Sequence, residues 1–163
     1  QIEYDAENYT EYIYGSAEVV GLMCLRIFSE GNDELFQSLK SGAKALGAAF
    51  QKVNFLRDIQ ADFEERGRSY FPGVDFVNFN KEQKVLIEED IQIDFNNARE
   101  AILSLPETSR VGVYLAYKYY LKLFGKIRRA SAQDVLKQRF RVPNAEKMYV
   151  LANTYCRSLV GVL

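Results

Sequence analysis

The stretch "FQKVNFLRDIQADFEERGRSYFP", residues 50 to 72, decides how this chain is read. Most of it has the apolar spacing of a long helix. Placed at about 100° per residue, Gly47, Gln51, Asn54, Asp58, Asp62 and Glu65 fall on one narrow stripe. Every member after Gly47 carries a side-chain oxygen acceptor. The rest of the circumference holds Leu46, Phe50, Val53, Phe55, Leu56, Ile59 and Phe63. That arc is too wide for a surface helix, which shows one apolar stripe and a broad polar face. The oxygens are therefore expected to face an interior space. Buried carboxylates need a partner, either protein cations or a metal ion. Mg²⁺ fits such a face, because it takes oxygen ligands from one or two carboxylates together with substrate phosphates. Arg57, Arg66 and Arg68 would then hold the phosphate oxygens through bidentate geometry. The plainer alternative is a solvated helix face with Arg57 paired to an acidic neighbour. An EF-hand loop and a di-iron bundle both need other spacings.

Outward from this stretch the pattern stays helical. A first helix is expected from about Asp5 to Ser29, stopped at Gly31. A second runs from about Asp33 to Arg66, and its Gly42 and Gly47 suggest close packing or a cavity wall. The aromatic loop "GRSYFPGVDFVNFN" follows. A third helix is expected over Lys81–Leu105 and a fourth over Glu107–Ala130. A short turn, "SAQDVLKQRF", then leads to a last helix from Pro143 to Val160. The fold class is all-α, with about five to six helices; a two-layer bundle and a larger helical cage both stay open.

Composition narrows the chemistry. The 163 residues carry 21 Lys plus Arg against 22 Asp plus Glu, which is no nucleic-acid footprint. Histidine is absent, so histidine acid–base chemistry and most zinc sites are excluded. Cys24 and Cys156 lie far apart in apolar helical runs, which suggests buried thiols in a reducing cytosol rather than a disulfide framework. No apolar run reaches the length of a membrane span, and no signal peptide is visible. The abrupt opening, "QIEYDAENYTEYIYG", suggests part of a longer protein.

Residues 47 to 72 resemble the second aspartate-rich motif of the phytoene synthase and squalene synthase family, the head-to-head prenyl synthases. Gln51, Asn54, Arg57, Asp58, Asp62, Arg68 and Tyr70 match its pattern. The segment "YIYGSAEVVGLMCL", residues 12 to 25, matches another motif at Tyr12, Tyr14, Ala17, Val20 and Gly21, and departs at Glu18, where the family usually has Gly. "RFRVPNAEKM", residues 139 to 148, resembles the family's basic "RVRVP" stretch. Order and separation agree across essentially the whole chain. The family's first Asp-rich motif has no counterpart: Asp5 lacks an Asp four residues on, since position 9 is Tyr. The resemblance thus implies that residues 1–163 are the C-terminal portion of a single isoprenoid-synthase-type helical domain.

It also implies a Mg²⁺-dependent transferase (Mn²⁺ being a substitute) that joins two isoprenyl diphosphates through a cyclopropyl diphosphate. The product would be phytoene from C20 substrates, or squalene or dehydrosqualene from C15; NADPH is needed only in the squalene case. By the same resemblance Asp58, Asp62 and Asn54 would ligate the metal. Gln51, Arg57, Arg68 and Tyr70 would meet the diphosphate. Tyr12 and Tyr120 would stand near the carbocation, Tyr120 being one choice among Tyr114, Tyr117, Tyr119 and Tyr120. Ser16, Val20, Gly21, Ala43, Gly47 and Phe50 would line the tail tunnel. Core packing explains any one of the tyrosines, and helix contact explains the small residues equally well. Such chemistry needs stabilisation of a leaving anion and a dry pocket. Further expectations are an inactive chain in isolation, self-association through exposed apolar surface, and a cytoplasmic location with peripheral membrane contact through the aromatic loop 70–79. The alternative is a non-catalytic helical scaffold.

Overall fold

The computed structural model describes residues 2–62 and 68–161; the side chains of Ile2, Glu3 and Arg68 lie outside that description. The expected Glu65 and Arg66 likewise lie outside the described residues, as does Phe63. The chain is helical, apart from a parallel pairing of two-residue strands, β1 (Ile2–Glu3) and β2 (Arg68–Ser69).

The first helical rod combines α1 (Ala6–Ile13) and α2 (Val19–Phe28), joined without a break by a π-helical segment, Tyr14–Glu18. Asp5 caps it: its carboxylate accepts from the Asn8 backbone N–H at 2.8 Å. Glu30 and Gly31 then turn the chain at positive φ, and Asn32 caps α3 (Asp33–Gln60), with Asp33 and Glu34 in its first turn. At 28 residues α3 is about 42 Å long, and the other helices pack around it. A reciprocal capping box of Asn80 and Gln83 opens α4 (Lys81–Leu103). Pro106 precedes α5 (Glu107–Arg129), and Pro143 precedes α7 (Asn144–Leu159).

Residues expected to form a turn instead form a short helix, α6 (Ala132–Lys137). The local cause is a second capping box, Ser131 with Asp134, and burial of Val135 in the core. The α-helical part of the central helix also ends earlier than expected: Ala61 and Asp62 enter a wider π turn.

The main core lies between α3, α4 and α5, where Val53, Leu56, Ile91, Phe95, Ala98, Phe124 and Ile127 are sealed from solvent. A smaller cluster, Leu25, Leu39 and Leu105, closes the opposite end of α3. The glycines of α2 and α3 are contact points. A Cβ on Gly21 would stand 2.5 Å from the Ala43 carbonyl oxygen, and one on Gly47 would stand 2.4 Å from that of Ala17. Only hydrogen lets these backbones meet. Gly42 is as tight against the Ala101 side chain.

An ion group ties α3 to α4, with Lys52 and Asp94 largely buried and Asp90 exposed at its rim. Lys52 Nζ lies 2.6 Å from Asp90 and 2.7 Å from Asp94. Burial raises the Asp94 pKa even though Lys52 opposes that shift.

Two expectations are corrected. Both cysteines are free and exposed rather than buried, because each sits apart from the buried positions of its helix, Leu25 in α2 and Val150 and Thr154 in α7. The aromatics of loop 70–79 face inward: Tyr70, Phe71, Phe76 and Phe79 are all buried, and Phe55 stacks on Tyr70 at 4.0 Å. They form a plug under the domain and offer nothing to a membrane surface.

Candidate active site

The oxygen stripe on α3 and an apolar cavity occupy one continuous face. The cavity measures about 580 Å³ and lies between the first rod, α3 and the start of α5. Ser16, Val20, Gly21, Ala43, Gly47 and Phe50 all line it, together with Leu39, Leu46 and Gln51. Its walls are apolar because Leu, Phe, Ala and Gly dominate the inward positions of three helices. Small residues at Gly21, Ala43 and Gly47 bring the first rod close to α3, and the larger Leu25, Leu39 and Leu105 lie toward the end remote from the stripe.

Gln51 is the last α3 residue lining this space. The next two turns of the helix carry Asn54, Arg57 and Asp58. Tyr120, from α5, donates a hydrogen bond to Asn54 Oδ1 at 3.3 Å. Its ring stacks on Phe50 at 3.8 Å with an interplanar angle of 14°. One tyrosine thus touches both the cavity wall and the polar stripe. Of the four tyrosines considered on α5, Tyr120 alone is recorded in a hydrogen bond to the stripe among the described residues. Tyr119 donates to the Lys147 carbonyl instead, and Tyr114 and Tyr117 are buried in the core.

Asp58 is held on both sides. Arg57 grips it in a fork, Nε at 3.0 Å and Nη2 at 2.6 Å. Arg139, from the segment between α6 and α7, reaches it at 2.7 Å. Partial burial acts to raise the Asp58 pKa, but the hydrogen bonds and charges of the two arginines outweigh it and hold the carboxyl below its ordinary value. Asp62 is buried at 7% exposure, one turn further on. Arg139 was visible in "RFRVP" but carried no assigned role, because nothing in the linear sequence brings position 139 to position 58.

Tyr12 and Tyr70 stand apart from the cavity. They pack with Tyr4 around Phe55, one turn before Asp58, in a cluster held in place by the β1–β2 pairing. The side chain of Arg68 lies outside the described residues.

No group of three carboxylate, cysteine or histidine residues that could hold a metal occurs among the described residues. What the face offers is a pair of carboxylates one turn apart, an amide oxygen and two arginines. This donor set suits a hard cation shared with a phosphate-bearing ligand.

The Squalene/phytoene synthase model matches residues 1–146. The chain belongs to the squalene/phytoene synthase family. It is 32% identical over 173 aligned residues to the phytoene synthase of Arthrospira platensis, covering 91% of this chain and 55% of that protein. It is 31% identical to the 15-cis-phytoene synthase of Synechocystis sp., covering 91% of this chain and 50% of the relative. A chloroplastic phytoene synthase of Zea mays is 28% identical, with 91% and 38% covered. The chain spans about half the length of the relatives it matches.

Proposed function

We propose that these residues form the C-terminal part of a single-domain enzyme that condenses two prenyl diphosphates head-to-head with loss of diphosphate. The carrying observation is the order of groups along α3. Ala43, Gly47 and Phe50 line an apolar space, and Asn54, Arg57 and Asp58 follow on the same helix. A prenyl diphosphate has the same order, an apolar tail and then an anionic head. The phytoene synthase names of the similar proteins favour the phytoene-type reaction with C20 substrate over the squalene type with C15 and NADPH.

In this reading Asp58, Asp62 and Asn54 would hold Mg²⁺, or Mn²⁺ in its place. The ion would supply charge stabilisation for the departing diphosphate. Arg57 and Arg139, which pair with Asp58, would serve the diphosphate oxygens, with Gln51, Arg68 and Tyr70 around the same head group. Arginine suits this role, because carboxylate and phosphate present the same paired oxygens to its fork. Tyr120, fixed by Phe50 and Asn54, would present its phenol ring to the reacting carbons, where cationic charge is favoured over an aromatic face; Tyr12, packed against Phe55 outside the cavity, is a packing residue in this reading. Ser16, Val20, Gly21, Ala43, Gly47 and Phe50 exclude water from the tail.

One observation favours the alternative, a helical module without catalysis: both oxygens of Asp58 already carry arginine partners. Calorimetric titration of the full-length parent protein with inorganic diphosphate, with and without Mg²⁺, separates the two. Coupled binding is expected, each ligand tightening the other; absence of coupling supports the module. Product analysis of the parent with C15 and C20 diphosphates, with and without NADPH, then fixes the substrate.

A further inference from the structure

We propose that Ser131 is a phosphorylation site for an arginine-directed Ser/Thr protein kinase, and that its phosphate opens α6. The inference uses the junction between α5 and α6 and does not depend on the catalytic reading.

The sequence supplies the acceptor pattern. Ser131 closes the run Arg128, Arg129, Ala130, Ser131, so its hydroxyl follows two guanidinium groups by three and two residues. A kinase whose peptide groove is lined with carboxylates selects a serine by such charges. Ser69 also follows two arginines closely, Arg66 and Arg68. Exposure separates the two serines. Ser69 is buried at 6%, whereas Arg128, Arg129 and Ser131 are all exposed.

Backbone shape favours the same serine. α5 ends at Arg129, and Ala130 and Ser131 are extended, with ψ of 154° and 160°. A kinase groove takes an extended peptide, so only the last turn of α5 has to open. Two contacts hold that turn. Lys84 Nζ donates to the Arg128 carbonyl at 3.3 Å, and Arg128 Nη1 donates to Gln92 Oε1 at 3.1 Å. In the transfer step Ser131 Oγ attacks the γ-phosphorus of ATP. The Oγ–P bond forms, and the bond from that phosphorus to the β,γ-bridging oxygen breaks. ADP leaves with the electron pair, and the hydroxyl proton passes to a carboxylate base of the kinase.

The proton lost in this step holds α6 together. Ser131 Oγ donates to Asp134 Oδ2 at 2.7 Å and accepts from the Asp134 backbone N–H at 3.1 Å. The bond from the Ser131 hydroxyl holds the Asp134 carboxyl below its ordinary pKa, so it is ionised at neutral pH. Phosphorylation removes the donor and sets a charge of about −1.5 to −2 beside that carboxylate. Repulsion from Asp134 and attraction to Arg128 and Arg129 draw Ser131 out of the capping box. A helix of 6 residues offers little macrodipole to offset this. α6 leads to Arg139, which reaches Asp58 at 2.7 Å, so the modification is felt at the oxygen stripe of α3.

The test is incubation of the folded full-length parent protein with ATP and the catalytic subunit of cyclic-AMP-dependent protein kinase, an arginine-directed enzyme. Peptide mass spectrometry then locates the phosphate. Phosphate is expected on Ser131, incorporated at least about tenfold more slowly in Arg129→Gln. Amide hydrogen exchange over residues 132–137 is expected to be at least about fivefold faster in the phosphorylated protein. Unchanged far-UV circular dichroism shows that Arg129→Gln folds. Absence of phosphate from Ser131, incorporation there only after denaturation, a rate indifferent to Arg129→Gln, or unchanged exchange in α6 would overturn the proposal.

Discussion

At the scale of single residues, Asp58 and Lys52 show how two charged side chains on one helix serve different ends. Lys52 points to α4 and meets Asp90 and Asp94 in a largely buried group. Removing it leaves Asp94 with an uncompensated charge in a poorly solvated site. Lys52→Met should therefore lower unfolding free energy by about 3 kcal/mol, and Asp94→Asn in the same chain should restore part of the loss. Urea denaturation of the native chain and the two variants checks this. Asp58 gives a different signature. Its pKa is lower in the folded protein than its ordinary value, so the folded state favours the ionised form. Its contribution is complete above about pH 5 and is lost as pH falls through the folded pKa. The stability difference between the native chain and Asp58→Asn should shrink on acidification, as measured by denaturation across that range. A difference that grows toward acid would contradict the pairing with Arg57 and Arg139.

At the scale of elements, the central contact is the glycine seam between the first rod and α3. A methyl group at Gly47 would meet a backbone carbonyl at 2.4 Å, and backbone cannot step aside cheaply. Gly47→Ala should cost about 2 kcal/mol, seen as a lower urea midpoint with an unchanged slope. Most of this level was legible in the sequence. Helical periodicity with Gly31 and Pro143 as end signals placed four of the helices within a residue or two, and the two helical glycines pointed to close packing. What the sequence did not disclose has physical causes. Helix α6 is too short to show a period, so only its Ser131–Asp134 box betrayed it. The inward turn of Phe71, Phe76 and Phe79 depends on tertiary packing, which loop composition does not encode. Both cysteines lie in apolar runs, and only helix phase decides that they are exposed. The stripe on α3 was legible because every member shares one helix. Arg139 was not, since its partner lies 81 positions away and the pairing depends on how α6 and α7 are joined.

At the scale of the whole molecule, an apolar cavity of about 580 Å³ adjoins a carboxylate and arginine face that continues along the same helix. The chain spans 55% and 50% of the lengths of two phytoene synthases that it resembles, and in the proposed reading activity needs the remainder of such a protein. The isolated 163 residues are expected to release no diphosphate from a prenyl substrate, and turnover by them alone would show that one carboxylate face suffices. Exposed Val20, Met23 and Ile27 on α2 should also make the isolated chain self-associate, which sedimentation velocity would read as a mass that rises with concentration. The most direct measurement is diphosphate release by the full-length parent from the C20 substrate in the presence of Mg²⁺, compared with the same protein carrying Asp58→Ala. A fall of roughly a thousandfold or more, with the fold intact, is the predicted result. Release at the native rate would contradict the assignment of this helical face to the diphosphate.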